Sequence, residues 1–371
     1  MKKMQILLGS VALLMSGLGF MSCSSGDDSP SDGGGSSGGG SVTSNSVPAN
    51  TDKGTNNNDT PDNITPGNTN NPGTGNGSGS GDTGSGDGNG SGSGSGDTGS
   101  GSGSGDTGSG GSGNGSGSGS GSGSTTPQWT LVFEDNFGDA SQTTATEPNS
   151  EYWSLAPKGT DTWNRHMSES YDQAFQQGGY LYLYGQLKEG EYLTGGIESR
   201  GKFSFEYGQV KCRARFLRQP QGNHTGIWMM PEKQDLGAWP RSGEIDIMEH
   251  LDDQSVYYST VHYWDEAGQK DGSSDKEISL ADHDDFNIYG VVWNKDAVSF
   301  TLNGEVMFTY ENTGNSTDPT YQYPFAAPFY LILSQSLGGK GTWEGEIDND
   351  ELPAIFQIDW IKVWQLEDSA N

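Results

Sequence analysis

The segment Gly243-Glu244-Ile245-Asp246-Ile247-Met248-Glu249-His250 places three carboxylates within six residues of an otherwise apolar run. Carboxylates so close together suit acetal chemistry, in which one attacks an anomeric carbon and another protonates the leaving oxygen. On a regular strand Glu244 and Asp246 share a face, and Glu249, at i+5, points the other way. A one-residue β-bulge between Asp246 and Glu249 restores the phase, and the extra apolar residue of Ile247-Met248 is a natural place for it, since bulges re-aim side chains beside active sites. The two glutamates are then four strand steps apart, roughly 13 Å between Cα atoms. Side chains leaning toward each other bring the carboxyls near the ~5–5.5 Å of retaining glycosidases, not the wider gap of inverting ones. Glu244 is therefore expected as the nucleophile and Glu249 as the acid that later serves as base. Asp246 is expected to orient Glu244, while the clustered charge raises the pKa of Glu249 and keeps a proton on it. The plain alternative is a solvated acidic edge strand. Trp239-Pro240 and Gly243 ahead of the acids, and the apolar residues between them, favour a packed, aromatic-lined strand.

The elements that must hold this strand read as short β runs. Tyr180 to Tyr184, Gln209 to Phe216, Ser255 to Tyr263, Asn287 to Trp293, Val298 to Leu302 and Glu305 to Tyr310 are β-branched or aromatic stretches separated by turn residues. Asn303-Gly304 is a strong two-residue hairpin signal. Lys211-Cys212-Arg213-Ala214-Arg215-Phe216 alternates charged and apolar residues, as in a strand with one buried face. Many short strands at regular spacing predict an all-β sandwich or barrel.

Trp239-Pro240-Arg241-Ser242-Gly243 followed by Glu-Ile-Asp-Ile-Met-Glu resembles the signature of glycoside hydrolase family sixteen, in the bulged form of laminarinases, agarases and endo-β-galactosidases. The lichenase form lacks the extra residue. Leu131 to Asp135, Thr194 to Phe203, Tyr207 to Val210, Gly226 to Pro231 and Ile358 to Trp364 extend the likeness along most of the chain after residue 127. The resemblance implies a β-jelly-roll sandwich with a concave substrate cleft. It implies a retaining endo-β-glycosidase, acting on β-1,3-glucan such as laminarin or on β-galactosyl linkages of mucin-type glycans, with no cofactor required for catalysis. By the same likeness Trp228 and Trp239 line sugar subsites, His262 lies near the acid/base, and Arg200, inside a matched stretch, joins the substrate-binding set. Trp163 and Trp343 sit in loop-like regions and either wall the cleft or pack on the surface. Many relatives carry a structural calcium ion on the convex side, which would place Asp359 as a metal ligand here, although Asn136 stands where relatives often have a second acid.

Residues 1–22, with Lys2-Lys3 ahead of an apolar stretch from Ile6 to about Met21, read as a signal peptide. The cut before Cys23 resembles a bacterial lipoprotein site, so Cys23 is the expected lipidation position and the cell outer membrane the expected location, with Asp27-Asp28 compatible with surface exposure. Ordinary secretion with a chance cysteine is the alternative. Residues 23–127 are Gly, Ser, Asn, Thr and Asp, from which no core can form. A Gly/Ser chain of that length spans roughly 50–60 Å, a long disordered tether. Residues 128–371 then make one catalytic domain, expected to act as a monomer. Cys212 on its alternating strand is a small buried residue rather than a nucleophile.

The net charge of −30 falls mostly on this last part. That excludes nucleic acid as a partner and counts weakly against sulfated polysaccharides, leaving neutral glycans. Nothing resembles a phosphate-binding loop, a zinc cluster or a Ser-His-Asp set. Two other readings stand beside the enzyme: a non-catalytic surface glycan-binding protein using the same cleft, and a structural or adhesive protein supported only by the tether. A binder has no need of the intact acidic triplet.

Overall fold

The computed structural model describes residues 60–62, 128–267, 269–282, 284–314 and 318–366; the signal segment, Cys23 and nearly all of the Gly/Ser-rich stretch lie outside them. From residue 128 onward the chain is a two-sheet β-sandwich, and its helical segments among the described residues are the short turns Tyr171–Gln173 and Pro319–Gln322.

Nine strands build the outer sheet. Its main order is β14 (Glu305–Glu311), β13 (Ala297–Leu302), β12 (Asn287–Trp293), β7 (Gly208–Arg218), β16 (Ala354–Leu366), β4 (Tyr180–Lys188) and β3 (Ala174–Gln177). β1 (Trp129–Asp135) adds to β16 and β5 (Glu191–Thr194) to β4. The second sheet runs β11 (Lys270–Ser279), β10 (Val256–Asp265), β9 (Glu244–Leu251), β8 (Asn223–Pro231), β15 (Phe329–Leu337), β6 (Gly196–Glu198) and β2 (Ser154–Leu155). The pairings between these strands are antiparallel.

The two-residue periodicity of β7 explains how the layers meet. Val210, Cys212, Ala214 and Phe216 point into the shared core, and Gln209, Lys211, Arg213 and Arg215 point outward. Ile227 and Met229 of β8, Ile245 and Met248 of β9, Val261 of β10 and Leu331 and Leu333 of β15 meet them from the other sheet. Cys212 is fully buried and unbridged, and burial lifts its thiol well above the ordinary range, which fits a packing role. The strands expected from the sequence are all present. Asn303 and Gly304, at φ 52° and 88°, form the tight turn between β13 and β14.

Candidate active site

The bulge forms on β9. Asp246 pairs with Thr260 and Glu249 with Tyr258, so three steps on β9 face two on β10. On the other side Asp246 pairs with Trp228 and Met248 with Ile227. Ile247 and Met248 both enter the core as a result, and Glu244, Asp246 and Glu249 all face away from it.

Each acid has its own partners. Glu244 accepts a short hydrogen bond from the Trp239 indole N–H and is hydrogen-bonded to Asp246. Asp246 is 2% exposed, and its Oδ2 lies 3.3 Å from His262 Nε2. Glu249 Oε1 lies 3.4 Å from His224 Nε2, and its Oε2 accepts a hydrogen bond from Thr260 Oγ1 at 3.2 Å.

The electrostatics correct one expectation. Crowding does raise a carboxyl pKa, but the one raised most plainly is Asp246: burial, then the charges of Glu244 and Glu249, push it well above the usual carboxylate range. Burial also raises Glu244, against the pull of His262 and Trp239. Burial works the same way on Glu249, yet the hydrogen bond and charge of His224, with His262 and Thr260, outweigh it and hold Glu249 below its ordinary value. Burial disfavours a charged ring at His262, but Asp246, Glu244 and Glu249 overcome that and lift it to about 10.

The aromatic residues frame these acids. Trp239 is 45% exposed and sits 5.6 Å from the His262 ring, on the Glu244 side. Trp228 is buried, donates to Ser334 Oγ at 3.1 Å and meets Trp163 edge-on at 4.8 Å. Trp163 thus belongs to the cleft lining. The Arg200 guanidinium stands 5.6 Å above the Tyr330 ring, which packs with Trp228 and Ile332. Trp343, 55% exposed, meets the rings of His224 at 5.3 Å and Tyr258 at 5.8 Å, so it stands at the Glu249 side. His224 is the residue sequence reasoning missed. The family likeness led to His262, whose ring engages Asp246, whereas the histidine touching Glu249 comes from β8.

Asp359 is the residue for which a calcium role was expected. It is buried on the outer sheet and forms a short ion pair with Arg213, so its carboxylate already faces a cation. Among the described residues no group of three or more His, Cys, Asp or Glu is arranged to hold a metal ion.

A β-sandwich carrying a carboxylate triplet beside exposed tryptophans on one open face is the architecture of a polysaccharide-cleaving enzyme. The family model of Glycosyl hydrolases family 16 matches residues 161–362, and the chain belongs to that family. It is 37% identical over 252 residues to the keratan-sulfate endo-1,4-beta-galactosidase of Sphingobacterium multivorum, covering 66% of this chain and 57% of that protein. The chain therefore spans little more than half the length of that relative. It is 30% identical over 256 residues to the beta-glucanase of Rhodothermus marinus, covering 64% of this chain and 86% of that one. Among solved structures, the laminarinase from Rhodothermus marinus superposes with a TM-score of 0.58 at 27% identity, covering 66% of this chain and 100% of that one. A structure from work on endo-acting O-glycanases that prominent members of the human gut microbiota express to initiate mucin breakdown gives 0.57 at 29%, covering 64% and 100%.

Proposed function

We propose that the chain is a retaining endo-β-glycosidase that cleaves internal linkages of a neutral glycan by double displacement, with Glu244 as nucleophile and Glu249 as acid and base. The observation that carries this reading is the bulged β9, which presents both glutamates on one face with Asp246 between them. In the first step the Glu244 carboxylate attacks the anomeric carbon, the glycosidic bond breaks, and the leaving oxygen takes the proton of Glu249. In the second, Glu249 removes a proton from water, the hydroxide displaces Glu244 from the sugar, and Glu249 regains its proton.

The neighbours fit these roles. The Trp239 N–H donates to Glu244 and Asp246 is hydrogen-bonded to it, and both contacts work against the effect of burial and fix its direction. A bound sugar excludes water from Glu249, and desolvation raises its pKa toward that of a working acid. Trp239 offers a flat apolar face to sugar rings, Trp163 lies edge-on against the buried Trp228, and Arg200 supplies donors to hydroxyls.

Of the candidate substrates, the higher identity to a β-galactosidase, together with the likeness to an O-glycanase, supports internal β-galactosyl linkages of mucin- or keratan-type chains over β-1,3-glucan. Product sizing on laminarin, lichenan, agarose, keratan-type and mucin glycans tests the choice; cleavage of laminarin alone would overturn it. Glu244→Gln and Glu249→Gln should each remove nearly all turnover, leaving the fold intact. With azide, the Glu249 variant should yield a β-glycosyl azide from a substrate with a good leaving group, and the Glu244 variant at most the α product. Inversion in the wild-type product would refute the nucleophile.

The reading extends to location: lipidated at Cys23, the enzyme is held at the outer membrane by the Gly/Ser-rich segment. Cys23→Ala should release or mislocalise it without altering the activity of the domain. Wild-type protein recovered free in the medium with an unmodified N-terminus would end that account.

A further inference from the structure

The outer sheet, on the far side of the sandwich from the carboxylates, holds a piece of the chain from far upstream. Lys211 points outward from β7, where a lysine would ordinarily reach into water, yet its side chain is 1% exposed. Thr60-Pro61-Asp62 covers it. Lys211 Nζ donates to the Thr60 carbonyl and to Asp62 Oδ1, each at 2.6 Å. The Asp62 N–H donates to Gln209 Oε1 at 2.8 Å, and Gln209 Nε2 donates back to Asp62 Oδ2 at 3.2 Å.

The strands are shaped for this contact. Gly304, at the β13–β14 turn, is approached so closely that a Cβ there would stand 3.2 Å from Asp62 Oδ1. Charge favours the same occupant. Lys211 is paired in register with Lys362 on β16, and Arg213 lies one outward position further along β7. This is a basic stripe on a chain of net charge −30. Arg213 meets Asp359 and Lys362 meets Glu134, both from the domain itself, whereas the carboxylate on Lys211 comes from residue 62.

We propose that Gln209 and Lys211, with the close approach at Gly304, form an intramolecular docking site for Thr60–Asp62. Thr60–Asp62 is thereby held on the face opposite the cleft. Being covalently linked, the segment needs little intrinsic affinity, because tethering supplies an effective concentration on the order of a millimolar. For an enzyme anchored at Cys23, the span between anchor and domain shortens from residues 23–127 to residues 23–59. That consequence alone rests on the anchor proposed above; the docking stands without it and without the assigned activity.

Hydrogen exchange of the full mature chain, followed by mass spectrometry, tests the contact. The Asp62 amide, which donates to Gln209 Oε1, should exchange about tenfold or more slowly than in unstructured peptide, at a level independent of protein concentration. Asp62→Ala, which lies outside the strands and leaves their folding untouched, should abolish that protection while hydrolysis of a soluble substrate is unchanged. Free exchange of the Asp62 amide in the wild type would overturn the proposal, as would protection that survives Asp62→Ala. Protection that grows with protein concentration would also overturn it, since the site would then be filled by a second copy.

Discussion

His224 and His262 hold different carboxylates, and these contacts, more than crowding among the acids, decide where the protons sit. His262 against Asp246 stabilises a buried cation, while His224 against Glu249 keeps the acid/base ionised in the open cleft. Removing His224 takes away the largest influence lowering Glu249, so its pKa should rise. Glycosylation needs Glu249 protonated and fails as pH climbs through that pKa, so the basic limb of kcat/KM in His224→Ala should move to higher pH, with kcat reduced. An unmoved limb would reduce His224 to packing. The sign is different for His262. Its folded pKa of about 10 lies above the ordinary 6.5, so its contribution to stability is full below 6.5 and is lost as pH rises toward 10. His262→Gln should lower the melting temperature near neutrality and flatten its alkaline decline. The three acids were legible in the sequence because a strand positions near neighbours by rule. His224 was not, because its meeting with Glu249 depends on β8 pairing with β9 in a register that sets Gly226 opposite Glu249. Nothing in Asn223-His224-Thr225 announces that register.

The bulge gives β9 its function by local geometry, and that permits a test by deletion. Removing Met248 leaves Glu-Ile-Asp-Ile-Glu, in which simple alternation sets all three acids on one face without a bulge. The variant should keep measurable hydrolysis of an activated substrate. It should also lose about 2–5 kcal/mol of stability, because a buried side chain leaves the core. Denaturant unfolding and a sensitive aryl-glycoside assay check the two halves; complete loss of turnover with the fold intact would mean that the bulge sets the carboxyl spacing and not merely the phase. β12, β13 and β14 were readable as β-branched or aromatic runs, and Asn303-Gly304 marks the turn between the last two. Such a reading failed for β11, whose Lys270–Ser279 run is almost wholly polar and exposed. An edge strand paired to a single neighbour buries little, so hydrogen bonding to β10 fixes it and no apolar pattern signals it. Asp359 hid its partner for a related reason. Its place on β16 was right, but Arg213 reaches it only through the β16–β7 pairing.

Charge is a property of the whole chain, read from composition alone, and it bears on substrate choice in a way that likeness to relatives does not. A net −30, with three acids in the cleft, repels a sulfated glycan as it approaches, while a neutral chain of the same linkage feels no such field. The keratan-sulfate enzyme to which the chain is similar therefore points to the linkage more than to the sulfate. Repulsion of this kind is screened over roughly 8 Å at physiological ionic strength and over about 30 Å at 0.01 M. The cleft itself carries Arg200, His224 and His262 against Glu244, Asp246 and Glu249, and the histidines are already committed to those acids. The expected outcome is that desulfated keratan-type chains are cut faster than sulfated ones at low salt. Added salt should then raise kcat/KM on the sulfated chains and leave the neutral ones nearly flat, which narrows the gap. Initial rates on matched sulfated and desulfated chains across a salt series measure this directly. A faster rate on the sulfated chain at low salt, falling as salt is added, would show that local cations in the cleft outweigh the acidic surface.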